Sequence, residues 1–160
     1  MRSFASALGV RCTHCHAGPT AGSLEGVDFA TDELEPKKVA RAMWKMTDAI
    51  NGKLLPATGR SSLTQVRCVT CHRGVTDPEP IEAILARAVA ESGTAAAVEH
   101  YKELRQEYYG TGAYDFSAGT LLAVAEKLAQ EKQDADGAIT LVRLNLEYDP
   151  AAAASYLLLG

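Results

Sequence analysis

Two copies of one five-residue pattern constrain this chain more than any other feature: Cys12-Thr13-His14-Cys15-His16 and Cys68-Val69-Thr70-Cys71-His72. Each reads C-x-x-C-H, and together they use all four cysteines of the 160 residues. This is the attachment signature of a c-type haem. Two thiols at this spacing add across the haem vinyl groups, and the adjoining histidine can turn its imidazole onto the iron. Two C-x-x-C pairs could also hold a four-thiolate zinc ion, or oxidise to disulfides in an exported domain. Neither alternative needs a histidine directly after both pairs. The pattern therefore predicts two haem c groups, with Cys12, Cys15, Cys68 and Cys71 as thioether anchors and His16 and His72 as proximal iron ligands. His14, between two anchors, is expected at the surface.

Aromatic residues make up 6% of the chain, which limits the core that a short segment can build. A haem brings a large flat apolar surface and can stand in for such a core, as small domains commonly require. The formal net charge of -4 and the absence of a basic stripe argue against a nucleic-acid partner, and Lys37-Lys38 sits beside acids. No apolar run approaches the roughly 20 residues that span a bilayer. Haem c is attached outside the cytoplasmic membrane, so a periplasmic or extracellular location is expected. Nothing before Cys12 resembles a signal peptide, and the sequence reads as a mature or incomplete chain.

The haem region is expected over residues 1–78. Met1 to Leu8 can form a short helix stopped by Gly9, and residues 17–35 read as a loop over the first haem. A helix then starts near Pro36, with Asp32, Glu33 and Glu35 at its positive end and Asn51-Gly52 as its stop. Its apolar stripe is Val39, Met43, Met46 and Ile50. A thioether is the usual sixth ligand opposite histidine in electron-transfer haems, although methionine also fills irregular cores. From the residues alone, the sixth partners lie among Met1, Met43, Met46, His14, His100, water or another chain.

Met1-Arg-Ser-Phe, Leu8-Gly9-Val10-x-Cys-x-x-Cys-His, the helix run from Ala40-Arg41-Ala42-Met43 through Met46-Thr47 to Asn51, and Cys68-x-x-Cys-His-Arg73-Gly74 together resemble the cytochrome subunit of bacterial photosynthetic reaction centres. The resemblance covers roughly the first half of the chain. It implies that each haem is built on a helix followed by a turn and C-x-x-C-H, with a helix methionine completing the iron. Met46 is then the distal ligand of the second haem, Met1 that of the first, and Met43 a packing neighbour. Reaction-centre members carry four haems and a lipid-anchored N-terminus. With two motifs here, the resemblance transfers the haem-helix unit and not the reaction-centre partnership.

Asp77-Pro78-Glu79-Pro80 marks a boundary. The region 79–160 reads as helices over Ile81 to Glu91, Thr94 to Tyr109, Ser117 to Glu131 and Asp134 to Glu147. If Ala138 opens the second helix of a tetratricopeptide repeat, Pro150 closes it and Ala153 starts the next, with Tyr156, Leu159 and Gly160 in phase. The stretch from Tyr108 to Phe116 reads as a helix–helix turn with aromatic packing, and His100 as a helix-surface residue. The fold class is thus mainly α: a loop-rich dihaem cytochrome c region, then antiparallel helix pairs of tetratricopeptide-like type, incomplete at the C-terminus.

These readings predict electron transfer rather than enzymatic catalysis. The helical tail would dock redox proteins or other copies of the chain, and an apolar edge at Tyr156 to Leu159 could propagate copies into a filament. Two further readings are an open haem iron that binds peroxide or gas, and a structural fibre in which haems act as staples.

Overall fold

The computed structural model describes residues 2–20, 22–60, 64–131 and 133–160. The fold is mainly α, with no strand among the described residues. It divides into two compact units, Met1–Pro78 and Glu79–Gly160.

The first unit starts with helix α1 (Arg2–Leu8). Gly9 ends it in the left-handed region at φ 68°, which lets the Val10 N–H return to the Ala5 carbonyl at 3.0 Å and satisfies a terminal acceptor. The end of α1 lies against the turn that follows the second motif: the Gly74 N–H donates to the Ala7 carbonyl at 2.8 Å, and a side chain on Gly9 would collide with the Gly74 carbonyl. The described residues of 15–34 contain no helix, consistent with the expected loop.

Helix α2 (Glu35–Ala49) carries Pro36 in its first turn, where a missing N–H costs nothing. Its α-helical hydrogen bonding ends at Ala49, just before the expected stop at Asn51-Gly52. The helix runs on as a π-turn over Ile50–Leu54 and a 3-10 turn over Pro56–Thr58, and reverses at Gly59 with φ 72°. The Asn51 side chain bonds a distant backbone segment, at Val66, rather than its own helix end. Helix α3 (Cys68–His72) is a short turn of the second motif itself.

In the second unit, α4 (Ile81–Ser92) and α5 (Thr94–Tyr108) are joined at Gly93, and α6 (Ala118–Glu131) is followed by α7 (Ala135–Tyr148) and α8 (Ala153–Leu159). The very short joints fold each pair back on itself. Asp134 caps α7 through a bond to the Gly137 N–H at 2.9 Å. The pairs share a core of Ile81, Leu85, Tyr101, Leu121, Leu128, Leu141 and Val142. Arg105 lies over the rings of Tyr109 and Tyr148, at 4.1 and 4.2 Å, and Tyr101 meets Phe116 edge-on, so the turn between α5 and α6 packs as an aromatic cluster. The succession of helical pairs is compatible with a tetratricopeptide-like tail.

The two units differ in how they are filled. Among the described residues, Ala7 and Val75 are the buried apolar side chains of the first unit, while the other buried ones belong to the second. Phe29, Val39, Met43, Trp44, Met46 and Val69 of the first unit are all exposed. A unit of this length normally needs more burial than that.

Candidate functional site

Each motif is wound by its own backbone. Cys12–His14 is a single 3-10 turn, and the Cys15 and His16 N–H groups both return to the Cys12 carbonyl, at 3.2 and 3.1 Å. This winding brings Cys12, Cys15 and His16 into the wall of one open cleft of about 260 Å³. Phe4 and Leu8 of α1, Phe29 of the loop, and Ala40 and Trp44 of α2 supply its apolar lining. The His16 ring tilts against Phe29 with centroids 4.9 Å apart, and its buried Nδ1 has no hydrogen-bond partner among the described residues. Burial pushes the Cys15 thiol up; the neighbouring Cys12 adds to this and Lys37 opposes it.

The loop over this cleft is fastened by Lys37. Its side chain is buried, and Nζ donates to the carbonyls of Phe29 and Thr31 while pairing with Asp32 at 3.3 Å. The same Asp32 oxygen accepts from Arg41 Nε at 3.1 Å and meets Arg41 Nη2 at 3.0 Å. Desolvation pushes the Asp32 carboxyl up, but the hydrogen bonds from Arg41 and Lys37 outweigh it and hold the group below the usual carboxylate range.

The second motif is held differently. The Arg67 N–H donates to Thr70 Oγ1 at 3.0 Å at the start of α3. Arg73 and Gly74, at φ 49° and 96°, reverse the chain so that Val75 faces His72. His72 Nδ1 then lies 3.0 Å from the Val75 carbonyl. A carbonyl can only accept, so Nδ1 carries the proton and the Nε2 lone pair is the one left to ligate a metal. Asn51 ties the approach to this motif, bonding both the N–H and the carbonyl of Val66 at 2.8 Å.

Helix α2 presents two opposite faces. At 100° per residue, Lys37, Ala40, Arg41 and Trp44 share the face that lines the first cleft, while Val39, Met43 and Met46 share the far face. Both methionines and Val39 are exposed there. His14 and His100 are exposed as well, and Met1 lies outside the described residues. Sequence reasoning missed Phe29, Lys37, Arg41, Trp44 and Asn51. The i, i+3, i+4, i+7 spacing of Lys37, Ala40, Arg41 and Trp44 was the available signal, hidden by its mixed polarity.

Among the described residues, no three His, Cys, Asp or Glu side chains converge as a metal cage requires, so the two cysteine pairs are not gathered for a shared zinc ion. The chemistry on offer at each motif is two thiols and one imidazole, set at the first beside apolar surface, which is what haem c requires. A family model described as the photosynthetic reaction centre cytochrome C subunit matches residues 18–117.

The chain belongs to that family.

Membership brings covalently bound haem c and haem-based electron transfer. The stretch matched in the cytochrome C subunit family holds α2, the second motif and helices α4 and α5, and begins just past His16. It extends beyond the first half of the chain, where the sequence resemblance was read. No curated protein and no solved structure matches the chain. No helix among the described residues is long and apolar enough to cross a membrane.

Proposed function

We propose that the chain is a dihaem electron carrier or relay, exported to the periplasm or beyond. The observation that carries this reading is the first unit itself: the first C-x-x-C-H motif opens into an apolar-lined cleft, in a unit whose described buried apolar residues are Ala7 and Val75. When bound, haem supplies reversible one-electron Fe(III)/Fe(II) change.

In this reading Cys12 and Cys15 anchor the first group, Cys68 and Cys71 the second, and His16 and His72 present Nε2. Val75 keeps the His72 ring in one tautomer and orientation. Phe29 and Trp44 shield the first site from water. Met46 is the distal ligand at the second site and Met43 its packing neighbour; Met1 is the distal ligand at the first. The helical unit docks redox proteins or further copies of the chain, with copies in series forming a filament. The reaction centre of the family's name is not proposed as a partner, because two motifs supply half of the haem complement of those subunits.

The test is a visible spectrum of the purified protein, oxidised and reduced, before and after carbon monoxide, with intact mass. Two haem masses, a methionine–iron charge-transfer band and no carbon monoxide binding support the relay. One haem or none would overturn the dihaem reading, and carbon monoxide binding would favour a haem enzyme or gas sensor.

A further inference from the structure

Among the described residues, the charged side chains that line the first cleft are Arg11, Lys37 and Arg41, with no acid beside them. A chain of net charge -4 has gathered three cations around an otherwise apolar cleft. The three are not equivalent. Lys37 is 8% exposed and directs Nζ at Phe29, Thr31 and Asp32, so its three N–H donors are engaged and it acts as a fixed positive charge. Arg41 turns Nε and Nη2 to Asp32. That pairing leaves donors of its five over and orients the guanidinium in the cleft wall. Asp32 thus neutralises one cation and aims another, and the Asp32, Lys37 and Arg41 cluster keeps a surplus of one positive charge.

We propose that this cluster is a carboxylate-recognition corner of the first haem seat, in which Arg41 receives a haem propionate and Lys37 fixes the field around it. The inference rests on the reading that Cys12, Cys15 and His16 hold a haem. Guanidinium is the side chain best suited to a carboxylate, through paired N–H donors in one plane. Oxidised haem carries one more positive charge than reduced haem, so the surplus charge favours Fe(II) and raises the reduction potential of that haem alone. Interactions of this kind persist in a partly apolar cleft because the local dielectric is lower than that of water.

The experiment uses the haem-loaded protein and three variants: Arg41→Gln, Asp32→Asn and, as a control on the outer side of α2, Lys38→Gln. Haem content is first fixed by intact mass and peptide mapping of Cys12 and Cys15. In a redox titration, Arg41→Gln is expected to move one haem's reduction equilibrium toward Fe(III) by three- to tenfold, tenfold being about 59 mV for one electron. Asp32→Asn moves the same haem the opposite way. Resonance Raman bands of the propionates shift in Arg41→Gln and stay in place in Lys38→Gln. Opposite signs identify a charge effect, since simple loosening of the loop would move both variants the same way. Unchanged midpoints with haem intact at Cys12 and Cys15, or shifts of the same sign, overturn the proposal. Absence of haem at Cys12 and Cys15 overturns the functional reading beneath it.

Discussion

Asn51 holds Val66 from both sides: its amide nitrogen donates to the Val66 carbonyl and its oxygen accepts the Val66 N–H, each at 2.8 Å. Fifteen residues separate the two, so the pair ties the end of α2 to the backbone that enters Cys68–His72. Asn51→Ala leaves both backbone groups of a part-buried residue without this partner, at a cost of about 1–3 kcal/mol. Denaturant unfolding of the haem-loaded protein should show that loss, and the Val66 amide should exchange faster while core amides of the second unit keep their protection. An unchanged Val66 exchange rate would mean that the clamp does not hold this segment.

The joint between α1 and the turn after α3 leaves no room for a side chain. Gly9 needs a left-handed backbone, which costs an L-residue about 1–2 kcal/mol, and a methyl there also meets the Gly74 carbonyl. Gly9→Ala should therefore lower the unfolding midpoint more than Gly59→Ala, where φ is 72° and no atom of the described residues lies within 4 Å of the added carbon. Equal losses at the two positions would show that the collision is relieved without cost.

Met43 and Met46 are 41% and 46% exposed, so truncating either removes a similar, small amount of packing. Their chemistry should differ. Met46→Ala is expected to abolish a methionine–iron charge-transfer band of the oxidised protein and open one iron to carbon monoxide, whereas Met43→Ala keeps the band. Loss of the band in Met43→Ala alone would exchange their roles.

What the sequence revealed followed from chemistry that works over adjacent residues. The C-x-x-C-H spacing puts Cys12, Cys15 and His16 together whatever the fold, and the helix of α2 was readable from Pro36 and the apolar spacing of Val39, Met43 and Met46. Contacts made across the fold were not readable. Lys37 spends its charge on two backbone carbonyls, which leave no mark in a sequence. Asp32 and Arg41 are nine residues apart, and Asn51-Gly52, read only as a helix stop, gave no sign that the Asn51 side chain reaches Val66. The apolar stripe of α2 was found, but the opposite face, where Lys37 and Arg41 interrupt Ala40 and Trp44, was not recognised as the wall of a cleft.

Asp32 gives the first unit a dependence on acid. Its folded carboxyl is held below the usual range by Arg41 and Lys37, so the stability it contributes is fully present above its unfolded pKa and is lost as pH falls through the lower, folded one. The difference in unfolding free energy between wild type and Asp32→Asn should therefore be constant at neutral pH and shrink below the usual carboxylate range. A difference that persists undiminished in strong acid would show that Asp32 acts by shape rather than charge.

Helix α8 is short, and Tyr156, Leu157, Leu158 and Leu159 are all exposed, so what fixes it to α7 must lie on its other side. Ser155 and Asn145 are buried there, at 0% and 2% exposure, with the Asn145 amide donating to Ser155 Oγ at 2.9 Å. Ser155→Ala removes the acceptor and strands a buried donor, which should cost about 1–3 kcal/mol. Replacing both partners with apolar groups, as in Asn145→Leu with Ser155→Ala, removes the stranded donor and should recover part of the loss. Hydrogen exchange localises the effect, because α8 amides should lose protection in the single variant while those of α4 keep theirs. If α8 keeps its protection in Ser155→Ala, apolar packing alone secures it, and any partner that docks on the Tyr156–Leu159 face meets a helix that does not depend on this bond.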